Sequence, residues 1–131
     1  MSGTPEKTDF DLWLGEEYAA GDPRGFTAFA ILLKIKKQDV EPICSTYMHI
    51  VGNEIDWGEM TNLFAGAGMK WDAVVFFTRR DPRTNGPLDN PTARLHLLDQ
   101  EARISEDRMA INDGFFFDAF GRRMMVEEVP G

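Results

Sequence analysis

Phe29-Ala30-Ile31-Leu32-Leu33-Lys34-Ile35-Lys36-Lys37 is the stretch whose reading decides the fold. Phe29, Ile31, Leu33 and Ile35 fall on one alternating face, and Ala30, Leu32, Lys34 and Lys36 on the other. A period of two with the charges gathered at one end favours a strand. A helix over residues 26–38 is the competing reading, because Ala, Leu and Lys all tolerate helices. As a strand, the stretch has an obvious partner. Ile43 to Val51 is rich in β-branched and aromatic residues, and Asp39-Val40-Glu41-Pro42 reads as the turn of a hairpin between the two.

Helical signals flank this hairpin. Upstream, Thr8 or Asp9 suits a helix N-cap, and Phe10, Trp13, Leu14 and Tyr18 follow the rhythm of one helical face. Asp9 and Asp11 sit at the positive end of that helix's dipole, and Gly21-Asp22-Pro23 stops it. Downstream of Asn53, Asp56 with Glu59 three residues on resembles a capping box with Asp as its first member. Trp57, Met60, Leu63, Phe64 and Ala67 then give a second helical stripe, which Gly66 and Gly68 end.

Trp71 to Thr78 is a short apolar run that reads as a central strand. The prolines, glycine and asparagines of 81–91 make a long loop. From Thr92 onward the pattern reads as a meander. Ala93 to Leu98 alternates, Ala102 to Ile104 is a short piece between turns at 99–101 and 105–107, Arg108 to Ile111 leads into Asn112-Asp113-Gly114, and Asp113-Gly114 is a hairpin signal before Phe115 to Asp118. Arg122 to Val129 closes it. The expected fold class is therefore α+β: a single domain over 9–131, with two helices packed on a mostly antiparallel sheet and a C-terminal β-meander. Residues 1–8 read as a flexible N-terminal arm.

Composition sets outer limits on function. The 131 residues suit one domain, and 43% of them are hydrophobic, enough for a core without staples. There are 22 acids against 14 bases, a formal net charge of −8. That balance disfavours non-specific attraction to nucleic-acid backbones or anionic membrane surfaces. The excess sits at the two ends. Residues 1–22 carry a net −5 and residues 101–131 a net −3, while the middle of the chain is neutral. One cysteine supplies neither an internal disulfide nor a Cys-based zinc site. The opening residues lack the features of a signal peptide and the longest apolar run is far too short to cross a bilayer, so a cytoplasmic location is expected.

Three groups of residues stand out. Phe115, Phe116, Phe117 and Phe120 are packed into six positions, with Met124 just beyond. Consecutive strand residues point to opposite faces, so Phe115 and Phe117 share one face and Phe116 takes the other. Either both faces are covered, or an aromatic patch marks an interface with a protein partner or a second copy. Arg79, Arg80 and Arg83 flank the long loop, with Arg94 beyond it, and form a candidate anion clamp. Their alternative role is to pair with Asp72, Asp81 and Asp89. Tyr47 and His49 share a strand face while Cys44 takes the other, which argues against a Cys–His pair built from that strand. His96 reads as a structural or surface histidine, as does His49.

No nucleotide-binding, hydrolase or zinc-protease motif occurs. No catalytic residues, metal ligands or cofactors are assigned. The expected function is a non-catalytic protein-interaction or self-associating module. Two alternatives are an acidic inhibitor or nucleic-acid mimic that meets a basic partner, and a small-molecule binder or enzyme with a helix–sheet pocket near His49, Tyr47 or Arg79 and Arg80.

Overall fold

Strand β1, Phe26–Lys36, is the centre of the molecule, and its first eight residues are all buried. The computed structural model describes residues 7–20, 24–37, 39–51 and 55–126. The Gly3 to Pro5 part of the arm, the Gly21-Asp22-Pro23 stop, Asn53 and the end of the closing strand lie outside the described residues. The element order is α1 (Asp9–Ala19), β1, β2 (Asp39–Ile50), α2 (Trp57–Ala65), β3 (Ala73–Arg79), α3 (Asn90–Glu106), a 3-10 helix (Arg108–Asp113), β4 (Phe115–Asp118) and β5 (Arg123–Met124). The five strands form one sheet in the order β2-β1-β3-β4-β5, and every described pairing is antiparallel. This is an α+β fold.

The sheet is covered on both faces. Phe10, Trp13 and Leu14 of α1 and Trp57, Met60 and Phe64 of α2 pack on Ala28, Ala30, Val74, Phe76 and Phe117. On the other face, Ala93, Leu97 and Ile104 of α3 and Ile111 of the 3-10 helix cover Phe29, Ile31, Leu33, Val75, Phe77 and Phe116. A central strand buried on both faces reads as a continuous apolar run, and Phe26–Leu33 is one. The helix reading of 26–38 fails for this reason: β1 has a sheet neighbour on each side, pairing Phe29 with Tyr47 and with Phe77.

Thr8 caps α1 with both halves of a capping box, its hydroxyl accepting the Asp11 N–H while the Asp11 carboxylate accepts the Thr8 N–H. Asp56 caps α2 by accepting the Glu59 N–H. The β1–β2 turn is tighter than expected. It runs through Lys37, whose φ is 52°, and Asp39 to Pro42 belong to β2 rather than to the turn.

The main departure lies between residues 90 and 114. Ala93 to Leu98 is not a strand but the first half of α3, and Ala102 to Ile104 lies in the same helix. The six-residue alternation is also compatible with a helix, and the longer stripe Ala93, Leu97, Gln100, Ile104 decides it. Asp89 caps the helix through the Thr92 N–H, with Pro91 in its first turn. Arg108 to Ile111 forms a 3-10 helix, and Gly114 closes it by donating to the Ile111 carbonyl, so Asp113-Gly114 is not a hairpin turn. Gly114 has an independent reason to be glycine: a Cβ there would lie 2.6 Å from the Phe76 carbonyl oxygen. The C-terminal strands still form an antiparallel ribbon β3-β4-β5, with α3 inserted after β3.

Among the described residues, no helix is long and apolar enough to cross a membrane.

Candidate functional site

Among the described residues strand β2 ends the sheet, so one of its edges faces away from β1. The hydrogen bonds of β1 fix which backbone groups lie on that edge. The Leu33 carbonyl accepts from the Asp72 N–H and the Ile35 N–H donates to the Asp72 carboxylate, so both turn toward the β3 side. Alternation then turns Leu32, Ala30, Ala28 and Phe26 toward β2, where they meet Cys44, Thr46, Met48 and Ile50. Ser45, Tyr47 and His49 therefore direct their backbone N–H and C=O groups outward.

The first half of this edge is blocked. The Val40 N–H is taken by the Asp39 side chain and the Val40 carbonyl by the Arg108 guanidinium at 2.6 Å. Pro42 has no N–H to offer, and the register shifts between Leu32 and Leu33 so that Ile43 is an extra residue. Proline, a bulge and a capping charge are the devices that keep edge strands from pairing. From Cys44 to Ile50 the strand is regular and, among the described residues, none of them recurs; the Tyr47 carbonyl accepts a long bond, 3.4 Å, from the Thr46 hydroxyl.

Helix α3 lies along the same strand on one face. The Ser45 hydroxyl donates to the Glu101 carboxylate, and His49 Nε2 is 2.9 Å from Asn90 Oδ1. The other ring nitrogen, Nδ1, is 2.9 Å from Thr27 Oγ1, which accepts the Leu88 N–H. These partners set the proton positions. Asn90 Oδ1 can only accept, so Nε2–H donates to it, and in the neutral ring Nδ1 then accepts from the Thr27 hydroxyl. Thr27 is fully buried. The chain of groups therefore ties β1, β2 and the start of α3 together.

Two depressions flank the open edge. A cleft of about 380 Å³ lies between β2 and α3, lined by Ile31, Pro42, Ile43, Cys44, Ser45, Glu101 and Ser105. On the other face a groove of about 220 Å³ lies against α2. It is lined by Ala30, Leu32, Thr46, Leu63, Phe64 and Ala67, with Cys44 and Ser45 at its rim. The flanking helices each carry an exposed leucine: Leu63 on α2, which lines the groove, is 58% exposed and Leu98 on α3 is 62% exposed.

The aromatic cluster is divided between roles. Phe116 and Phe117 are buried, on opposite faces of the sheet. Phe115 is half-buried beneath Arg123, whose guanidinium carbon lies 4.9 Å from the ring centroid, and Met124 is half-buried. Phe120 alone of the four is open, at 71% exposure, with Arg122 over its ring. Asp118 holds this turn. Burial pushes its carboxyl up, but the Arg122 backbone N–H and guanidinium and the Phe120 N–H outweigh that and hold it below the ordinary aspartate value. The Asp89 cap is lowered likewise, by the Thr92 N–H and hydroxyl.

The arginines do not converge. Arg79 bonds the Thr78 carbonyl and Gln100 beside Phe29, on the α3 face. Arg80 bonds the Gly25 and Glu17 carbonyls beside Phe26, on the α1 face. Arg83 is exposed on the loop, its backbone N–H bonded to Asp81. Cys44 and His49 lie on opposite faces of β2, as alternation requires. The acids of α1 and those of α3 also lie in opposite layers. Among the described residues, no three His, Cys, Asp or Glu side chains are grouped to hold a metal ion.

The sequence alone does not place this open edge. Its signal was the position of Pro42, tolerable in a strand only where its missing N–H faces away from the sheet. No family model, curated protein or solved structure matches the chain.

Proposed function

We propose that the chain is a non-catalytic protein-interaction module that takes an extended segment of a partner as an added strand on β2. The asymmetry of the edge supports this reading: it is blocked from Asp39 to Ile43 and regular from Cys44 to Ile50. Strand addition draws affinity from main-chain hydrogen bonds and specificity from pockets that take alternate side chains. The outward groups of Ser45, Tyr47 and His49 supply the first. The groove beside Leu63, Phe64 and Ala67 and the cleft beside Glu101 and Ser105 supply the second, one on each face.

A pair of substitutions at one position tests the reading. Ser45→Ala removes only the hydroxyl, whereas Ser45→Pro also removes an outward N–H without touching the bonds to β1. Peptides selected from a displayed library of random eight-residue segments should carry apolar residues at alternate positions. They should bind Ser45→Ala and lose binding to Ser45→Pro. Selection of no such peptide, or equal binding to both variants, would contradict the reading.

A further inference from the structure

We infer that the segment taken up by β2 is β2 of a second copy of this chain, paired antiparallel across a two-fold axis near Tyr47. This rests on the edge reading above and names its occupant. Such an axis pairs outward residues with outward residues: Tyr47 meets its own counterpart and Ser45 meets His49. The two five-stranded sheets then run together as one.

Three features of the edge suit a second copy. Residues 44–50 contain no charged side chain although the chain carries a net −8, so self-pairing sets no like charges opposite each other. The axis stands across the sheet, so it places α3 beside α3 on one face and α2 beside α2 on the other. The exposed Leu98 and Leu63 of each copy are thereby brought toward the apolar surface of the other. Arg94 and Glu101 are seven residues apart, two helical turns on one stripe, with Leu98 between them. Antiparallel α3 helices carry Arg94 of each copy toward Glu101 of the partner subunit, so the charges at this seam are opposite in sign.

Light scattering over a concentration series, with a thermal melt to confirm folding, tests the inference. The native chain and Ser45→Ala are expected to be dimers, and Ser45→Pro and Leu98→Asp monomers. Arg94→Glu should weaken association roughly tenfold, and adding Glu101→Arg should recover it, because the exchanged charges again attract. A dimer that persists in both Ser45→Pro and Leu98→Asp would overturn the inference. So would a native monomer. If that monomer still takes the selected peptides, the edge reading stands without its second-copy occupant; if it takes none, both fall.

Discussion

His49 reaches Asn90 at 2.9 Å and thereby fixes the start of helix α3 against the edge strand β2. The same ring bonds Thr27 on the neighbouring strand, and Thr27 receives the Leu88 N–H from the loop that leads into α3. One imidazole thus positions a helix that forms one wall of the proposed interaction surface.

The buried end of this chain should matter more than the exposed end. Thr27→Val keeps the shape but strands the Leu88 N–H and the His49 Nδ1, at an expected cost of about 1–3 kcal/mol. Asn90→Ala breaks a bond in contact with water, and its cost should stay below about 1 kcal/mol. Urea unfolding of the two variants checks the order. An Asn90→Ala loss equal to or above that of Thr27→Val would contradict the described burial of Thr27 and water contact of the His49–Asn90 bond.

The phenylalanines should separate into two classes. Phe117 is buried against Phe10, Trp57 and Phe76, so Phe117→Ala should cost about 3–5 kcal/mol. Phe120 is largely exposed, and Phe120→Ala should change stability by no more than about 0.5 kcal/mol. Denaturant midpoints of the two variants measure the difference.

Asp118 gives the fold a defined acid sensitivity. Its folded-state pKa lies below the ordinary value of 3.8, so its ionised form contributes stability that is present above that value. The contribution is lost as pH falls through the folded-state pKa. Asp118→Asn should be less stable than the native chain at neutral pH, and the gap should narrow below pH 3.8. Melting curves from neutral to acid pH show it, and a gap that widens on acidification would refute the assignment.

The legible parts of the fold were those with a long pattern or a chemical stop. The caps at Thr8 and Asp56, the apolar run of β3 and the alternation of Phe115 to Phe117 all appear in the sequence with their causes. The first half of helix α3 reads as a strand because a short window over Ala93 to Leu98 satisfies two periods at once. Asp89 with Pro91 held the correcting signal, an N-cap followed by a first-turn proline. The arginine cluster was legible as composition only, because β3 sends Arg79 and Arg80 to opposite faces. The open edge was faint because strand order is set by pairing between distant segments, and Pro42 is its one local trace.

Residue-resolved amide hydrogen exchange of the native chain, dilute and then saturated with its partner strand, tests the central claim most directly. Thr46 and Met48 bond to β1 and should exchange slowly in both states. Ser45, Tyr47 and His49 should exchange fast when dilute and slow when the edge is occupied, a protection pattern that alternates along one strand. Uniform protection of 44–50 in the dilute chain, or fast exchange at Ser45, Tyr47 and His49 in both states, would contradict the account.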